Sequence, residues 1–394
     1  MANNAELYSR GQAVLFQNYR TQPIALVRGE GTNVWDADGK QYLDFIGGIA
    51  TVSVGHANAR VRAALEEQAG LLWHASNLYV TEPQIRLAEK LVAQTQGLKR
   101  AFFCNSGTEA NEAMIKLARH WHYANGRKER IEILCFNNSF HGRTMGSLAA
   151  TGQPKYQTGF GPLPQGFRFL DYGDEAQLEA AVNDKTCAVL LEAVQGEAGV
   201  LVPQPSFLRR VRELCTRHGA LMLVDEVQTG MGRTGRFFAH QHFGIEPDAI
   251  SLAKGIAGGM PLGAVLARDE VARVFTPGTH ASTFGGNPLA TAAACAVVDL
   301  LNEGVLDNVR RMGELLSARL KSIPRTTGER GMGLLRGLLF GEDLAPKLVA
   351  RARYLGLLVN AIGERVVRLA PPLTVSEGEI ERAASILAQA VREA

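Results

Sequence analysis

The sequence predicts an α/β fold, with a large domain built on a mainly parallel central sheet and a smaller α+β domain assembled from both chain ends. Three observations predict it. The chain has 394 residues, more than one hydrophobic core usually organises. From about residue 100, short apolar runs alternate with helical periods, the rhythm of strands and helices that cover both faces of a parallel sheet. After about residue 305 the order of helices and strands changes. The expected units are residues 1–50, the N-terminal part of the small domain; 51–304, the large domain; and 305–394, the C-terminal part of the small domain.

The elements follow in order. Val34 to Asp44, with its Asp38-Gly39 turn, reads as a hairpin that joins the C-terminal unit. Ala101 to Cys104 reads as a strand, Glu109 to Trp121 as a helix, and Ile131 to Phe136 and Ala188 to Leu191 as strands. A helix over Ser206 to His218 leads to strands at Leu221 to Val224, Ala249 to Leu252 and Gly263 to Ala267. The most apolar stretch, Leu289 to Leu301, is interrupted by Asp299 and is too short to span a bilayer, so it predicts a buried helix. A helix at Val309 to Leu320 precedes strands at Leu334 to Leu339 and Val366 to Leu369. The last helix starts at Glu377, where Ser376 and Glu379 have capping-box spacing.

Composition narrows the function. Apolar residues make up 46% and charged residues 21% of the chain, the range of ordinary globular proteins. The net charge is +3 and the basic residues are scattered, which argues against a nucleic-acid partner. Met1 to Arg20 lacks the basic-then-apolar order of a signal peptide, so a cytoplasmic location with no membrane role is expected. Cys104, Cys135, Cys187, Cys215 and Cys295 form no C-x-x-C pair and sit mostly in apolar segments, as reduced core thiols do. The pairs His120/His122 and His240/His242 lack a third ligand at metal spacing, so no metal is expected.

Three segments carry candidate chemistry. Asn105-Ser106-Gly107-Thr108-Glu109 lies between a strand and a helix, where free backbone N–H groups and the helix dipole suit a phosphate. Ser106 and Glu109 also fit a plain capping box, and the two readings are compatible. Asp225 ends the strand of Leu221-Met-Leu-Val-Asp225-Glu226-Val227-Gln228, and ligands bind at the carboxyl ends of strands in open α/β sheets. A carboxylate there suits a pyridinium nitrogen, although a helix cap or ion pair would also explain it. Lys254 follows the apolar Ser251-Leu-Ala and precedes the glycine-rich stretch Gly255 to Gly263. A lysine surrounded by apolar groups loses its preference for the charged form and becomes nucleophilic, as a Schiff-base amine must be; the alternative is an exposed strand-end lysine. Gly230-Met-Gly232-Arg-Thr-Gly235 satisfies the G-x-G-x-x-G pattern but has no helical period after it, so dinucleotide binding is rejected.

Taken together, Ser106-Gly-Thr-Glu-Ala-Asn-Glu-Ala-Met-Ile-Lys, Phe140-His-Gly-Arg143, Asp225-Glu-Val-Gln228, Lys254-Gly and Ser282-Thr283-Phe-Gly-Gly resemble the class III aminotransferases, and among them the acetylornithine aminotransferases. The resemblance runs in order over nearly the whole chain. It implies a fold-type I enzyme dependent on pyridoxal 5′-phosphate (PLP), and a homodimer with active sites shared between subunits. Lys254 would carry the cofactor and Asp225 would face its ring nitrogen. By the same resemblance Gly107 and Thr108 would hold its phosphate, Phe140 and Val227 would pack on its two ring faces, and Ser106 and Glu226 would belong to the cofactor-binding segments. Gln228 would reach the ring hydroxyl, and Thr283 the phosphate in the neighbouring subunit.

For substrates, the resemblance assigns Arg143 and Arg368 to carboxylates, which guanidinium forks match bidentately. Ser282 would lie near the partner's substrate, and Glu197 would be a switch that pairs with Arg368 while the amino donor is bound. The implied reaction moves the δ-amino group of N2-acetylornithine to 2-oxoglutarate, giving N-acetylglutamate 5-semialdehyde and glutamate, a step of arginine metabolism. Ile49 stands where ornithine aminotransferases carry a tyrosine that contacts the unprotected substrate end, which leans against free ornithine. Succinylornithine, succinyldiaminopimelate precursors and 4-aminobutyrate remain alternative donors. A PLP mutase is the alternative of a different class.

Overall fold

The computed structural model describes residues 2–394; Met1, at the edge of the expected N-terminal unit, lies outside them. A seven-stranded sheet forms the centre, in the order Arg100–Cys104, Gly263–Ala267, Ala249–Leu252, Leu221–Asp225, Thr186–Glu192, Glu132–Phe136 and Phe167–Leu170. Gly263–Ala267 runs antiparallel to both neighbours, and the remaining pairs are parallel. Thr186–Glu192 and Leu221–Asp225 are buried along their whole length, as strands covered on both faces must be. The register sets Glu192 beside Asp225 and Asp225 beside Ser251, so three polar side chains at or next to the ends of adjacent strands form one row.

Local signals explain how the covering helices begin and end. Ser106 caps Gly107–Ala124 by accepting from the Glu109 N–H. Pro205–His218 starts on proline and ends at Gly219, whose φ of 63° meets the left-handed geometry of a helix end. The capping box at Ser376 and Glu379 opens Glu377–Glu393 as its spacing predicts.

The apolar stretch expected as a short helix is part of a longer one. Pro288–Leu300 continues through a π-helical turn, Leu301–Val305, into Leu306–Lys321, which absorbs the separately predicted helix at Val309 to Leu320. By length and composition this helix could cross a membrane, contrary to the expectation from Leu289 to Leu301 alone. Instead, Thr291 to Val298 are buried in the core, and the helix packs on Ala59–Ala69 and Glu82–Val92. Asp299 is held by Lys90. The expected division at 304/305 falls inside the π turn.

Two four-stranded sheets complete the fold. One joins Leu26–Glu30, Asn33–Asp36 and Gln41–Asp44 to Leu357–Leu358, so the two chain ends share a sheet. The other is ordered Thr326–Met332, Leu335–Phe340, Val366–Leu369, Asn360–Ile362 and delivers Arg368 toward the large sheet. Arg233, in the rejected glycine pattern, donates to the Leu334 and Pro371 carbonyls and so bolts the large sheet's loop to this one. No helix of the dinucleotide type follows it; a 3₁₀ turn, Ala239–His242, does.

Candidate active site

A cavity of about 420 Å³ opens at the carboxyl ends of the central strands. Its walls include Ser106, Gly107, Thr108, Phe140, Arg143, Glu197, Asp225, Val227, Gln228 and Lys254, which are ten of the residues singled out in the sequence.

Asp225 is fixed from both oxygens. Oδ2 accepts from Asn111 Nδ2 at 2.7 Å and from His141 Nδ1 at 2.8 Å, while Oδ1 accepts from the Val227 N–H at 2.9 Å. Ser251 Oγ donates to Asn111 Oδ1 and orients that amide. Burial works against charge on His141, but the bond to Asp225 and its negative charge outweigh burial and raise the imidazole pKa. Asn111, His141 and Ser251 stand inside segments singled out in the sequence, but the sequence assigns none of them a role. The strand register that aligns position 225 with position 251 is the signal for Ser251, and it needs the sheet order.

Lys254 follows Ala249–Leu252 and opens a 3₁₀ turn, Lys254–Ala257. Its φ of 43° lies in the left-handed region, a strained backbone that the fold maintains at the cavity wall. Burial lowers its amine's pKa below the usual lysine value, opposed by Glu197, Asp225 and Glu192. No hydrogen bond or ion pair ties its amine to the protein among the described residues, so the amine is available to react.

The helix start behaves as both readings allowed. Ser106 Oγ is engaged with Glu109, yet Gly107 and Thr108 still line the cavity at the N-terminus of an 18-residue helix. A Cβ on Gly107 would stand 2.6 Å from Val227 Cγ1, so only glycine lets the helix start close over that side chain. Thr108 Oγ1 accepts from the Arg143 and Thr144 N–H groups at 3.1 Å and fixes the loop after Phe140.

Glu197 and Arg368 are paired directly, and Gln228 bonds both, donating to Glu197 at 3.1 Å and accepting from Arg368 at 3.1 Å. Burial opposes charge on Glu197, but Arg368 and Lys254 outweigh it and hold the carboxyl below its usual range. Arg368 is only 3% exposed and meets the cavity through Glu197 and Gln228.

Other expected site residues lie elsewhere. Glu226 points away from the cavity; its carboxylate accepts from the Ala239 and His240 N–H groups and from Thr229 Oγ1, because a strand alternates its side chains and Asp225 already takes the site side. Ser282 accepts from Asn105 Nδ2 and the Gly285 N–H, and neither it nor the exposed Thr283 lines the cavity of its own chain. Ile49, at φ 62° and half exposed, does not line it either, whereas Thr51 does. Conversely, Glu192 lines the cavity without having been expected there. It accepts from the Phe140 and Gly196 N–H groups, and burial pushes its carboxyl up to about 7.

The arrangement fits PLP on chemical grounds. It offers a free amine of lowered pKa, a doubly anchored strand-end carboxylate, and a helix N-terminus on the same cavity.

Comparison with known proteins agrees. A family model described as aminotransferase class-III matches residues 15–391. The chain is 48% identical to an acetylornithine aminotransferase of Myxococcus xanthus over 95% of each chain, and 50% identical to one of Mycolicibacterium smegmatis over the same shares. The crystal structure of an ornithine aminotransferase from Toxoplasma gondii superposes with a TM-score of 0.95 at 32% identity, covering 100% of this chain and 96% of that one.

Proposed function

The chain belongs to the class-III aminotransferases, PLP enzymes that act on amino-acid and keto-acid substrates, and from that premise we propose that it transfers the δ-amino group of N2-acetylornithine to 2-oxoglutarate. The products are N-acetylglutamate 5-semialdehyde and glutamate, formed in a ping-pong cycle that belongs to arginine metabolism. The observation that carries this reading is the Glu197–Arg368 pair, whose Glu197 lines the same cavity as Lys254. With the pair closed, the cationic group is masked and an acylated monocarboxylate is accepted; with Glu197 withdrawn, Arg368 is released for the second carboxylate of 2-oxoglutarate.

PLP supplies an electron sink for the charge left when the amino-bearing carbon loses a proton. The chain's residues do the rest. Gly107 and Thr108 would hold its phosphate, Phe140 and Val227 would enclose its ring, and Asp225 would keep the ring nitrogen protonated. Lys254 would hold the cofactor, and its Nζ would take the proton from the donor's δ-carbon. Its lowered pKa favours the neutral amine this requires. Arg143, exposed in the cavity, binds the donor's α-carboxylate.

The reading includes a cytoplasmic homodimer. Leu71, Trp73, Leu78, Tyr79, Val80 and Phe284 are exposed. Asn77 in this segment donates to the Ser282 and Gly285 carbonyls, which supports a second copy covering a surface that carries Ser282 and Thr283. The five cysteines are buried free thiols, with burial holding Cys104 up to about 12, which suits a reducing compartment.

Initial rates with 2-oxoglutarate against N-acetylornithine, ornithine, succinylornithine and 4-aminobutyrate test the proposal. N-acetylornithine should exceed ornithine at least tenfold in kcat/KM, because burying a second ammonium without a partner costs on the order of a few kcal/mol. Equal kcat/KM for those two donors rejects the assignment.

A further inference from the structure

Arg143 is expected to read a carboxylate, yet its side chain makes no ion pair, and its guanidinium makes no hydrogen bond to a protein acceptor among the described residues. What it touches is aromatic. Its Cζ lies 4.0 Å from the centroid of the Tyr156 ring and 5.3 Å from that of Phe140. Tyr156 and Phe140 meet edge to face, with centroids 5.7 Å apart and planes at 83°. Two aromatic surfaces therefore define where the cation rests.

We propose that Tyr156 is a specificity-determining positioning residue, which holds the Arg143 guanidinium against its ring so that the N–H donors stay free for the donor's carboxylate. The proposal rests on the reading of Arg143 as the carboxylate-binding group. A guanidinium lying over a ring face uses that face for attraction and leaves its in-plane donors unspent, which no carboxylate partner in the protein would do. Tyr156 is fit for this because its short helix, Pro154–Gln157, is itself pinned. Gln157 Nε2 donates to the Leu148 and Thr151 carbonyls, and Gln153 Nε2, one residue before the helix, donates to those of Asn138 and Ser139. The ring is thus fixed to the segment that leads into Phe140. Lys155 Nζ also lies 4.8 Å from the Tyr156 centroid, so the ring face is already set among cations. Phe140 has an independent anchor, its N–H donating to Glu192 at 3.0 Å, so loss of the Tyr156 ring acts on Arg143 first. Neither composition nor motif points to Tyr156.

The test is steady-state kinetics of the holoenzyme with N-acetylornithine, and with n-butylamine as a donor that lacks a carboxylate. Tyr156→Leu should raise KM for N-acetylornithine about three- to tenfold, the range of a partly desolvated cation–aromatic contact, with kcat within about twofold. Turnover of n-butylamine should be unchanged, and Tyr156→Phe, which keeps the ring face, should restore the wild-type KM. Tyr156→Met serves the same purpose if the leucine variant does not fold. In an Arg143→Gln background, Tyr156→Leu should add nothing further to KM.

If Arg143→Gln raises KM but Tyr156→Leu does not, or raises it equally for n-butylamine, the Tyr156 proposal is overturned and the role of Arg143 stands. If Arg143→Gln itself leaves KM unchanged, the carboxylate assignment falls and the Tyr156 proposal falls with it.

Discussion

The Arg368 guanidinium donates to the Glu197 carboxylate in a site where Gln228 bonds both partners. A buried cation with a removable partner is a switch: it is costly to leave alone, yet ready for any carboxylate that replaces Glu197. Glu197→Gln keeps the shape and removes the charge. It should lower kcat/KM for N-acetylornithine by about tenfold or more while leaving the 2-oxoglutarate half-reaction unharmed or faster, as single-turnover measurements of each half-reaction would show. Equal losses in both halves would mean that the pair is only structural.

Asp225 is bonded at both oxygens to Asn111, His141 and the Val227 N–H, so its position is set by the fold and its charge is the part left for function. Asp225→Asn should keep the fold and still take up cofactor but lose kcat by orders of magnitude, since an amide cannot keep a pyridinium protonated. Turnover within a few-fold of wild type would assign the carboxylate to structure alone.

Lys254 yields a pH prediction. Its folded-state pKa is lowered, chiefly by burial, so between that value and 10.5 the unfolded chain binds more protons and apo-protein stability rises with pH. Below that window the penalty is present in full. Apo Lys254→Met lacks the amine and should melt at a higher temperature than apo wild type at pH 7, the gap narrowing as pH approaches 10.5. Parallel melting curves at a series of pH values check this, and a gap that does not depend on pH would show that packing, and not charge, is responsible.

Glu226 is expected to matter for stability. Its carboxylate accepts from two backbone N–H groups and the Thr229 hydroxyl in a fully buried setting. Glu226→Ala should cost about 3 kcal/mol or more by stranding those donors, read as a lower denaturant midpoint. The activity of the remaining folded enzyme should be close to wild type.

Much of the site was legible in the chain because its chemistry sits at strand ends flanked by unmistakable patterns. Asp225 closes an apolar run, Lys254 precedes glycines, and Ser106 to Glu109 open a helix. Glu226 misled for the same reason: adjacent acids in sequence look equivalent, and only strand alternation separates the one that faces the cavity from the one that staples a turn. Asn111, His141 and Ser251 converge on Asp225 from three separate segments, so no local pattern encodes them. In the fold, the strand Thr326–Met332 leaves little β pattern in the sequence because Gly328 and Gly331, at φ 150° and 141°, weaken it. The helix through Leu301–Val305 reads as two in the sequence because Gly304 interrupts its periodicity without ending it.

The most direct test of the account is to reduce the cofactor-loaded enzyme with borohydride and map the modified peptide by mass spectrometry. The cofactor should be fixed on the peptide that contains Lys254, with loss of the visible absorption band and of activity in proportion. Modification at any other lysine, with Lys254 unlabelled, would contradict the assignment of this cavity as the catalytic centre.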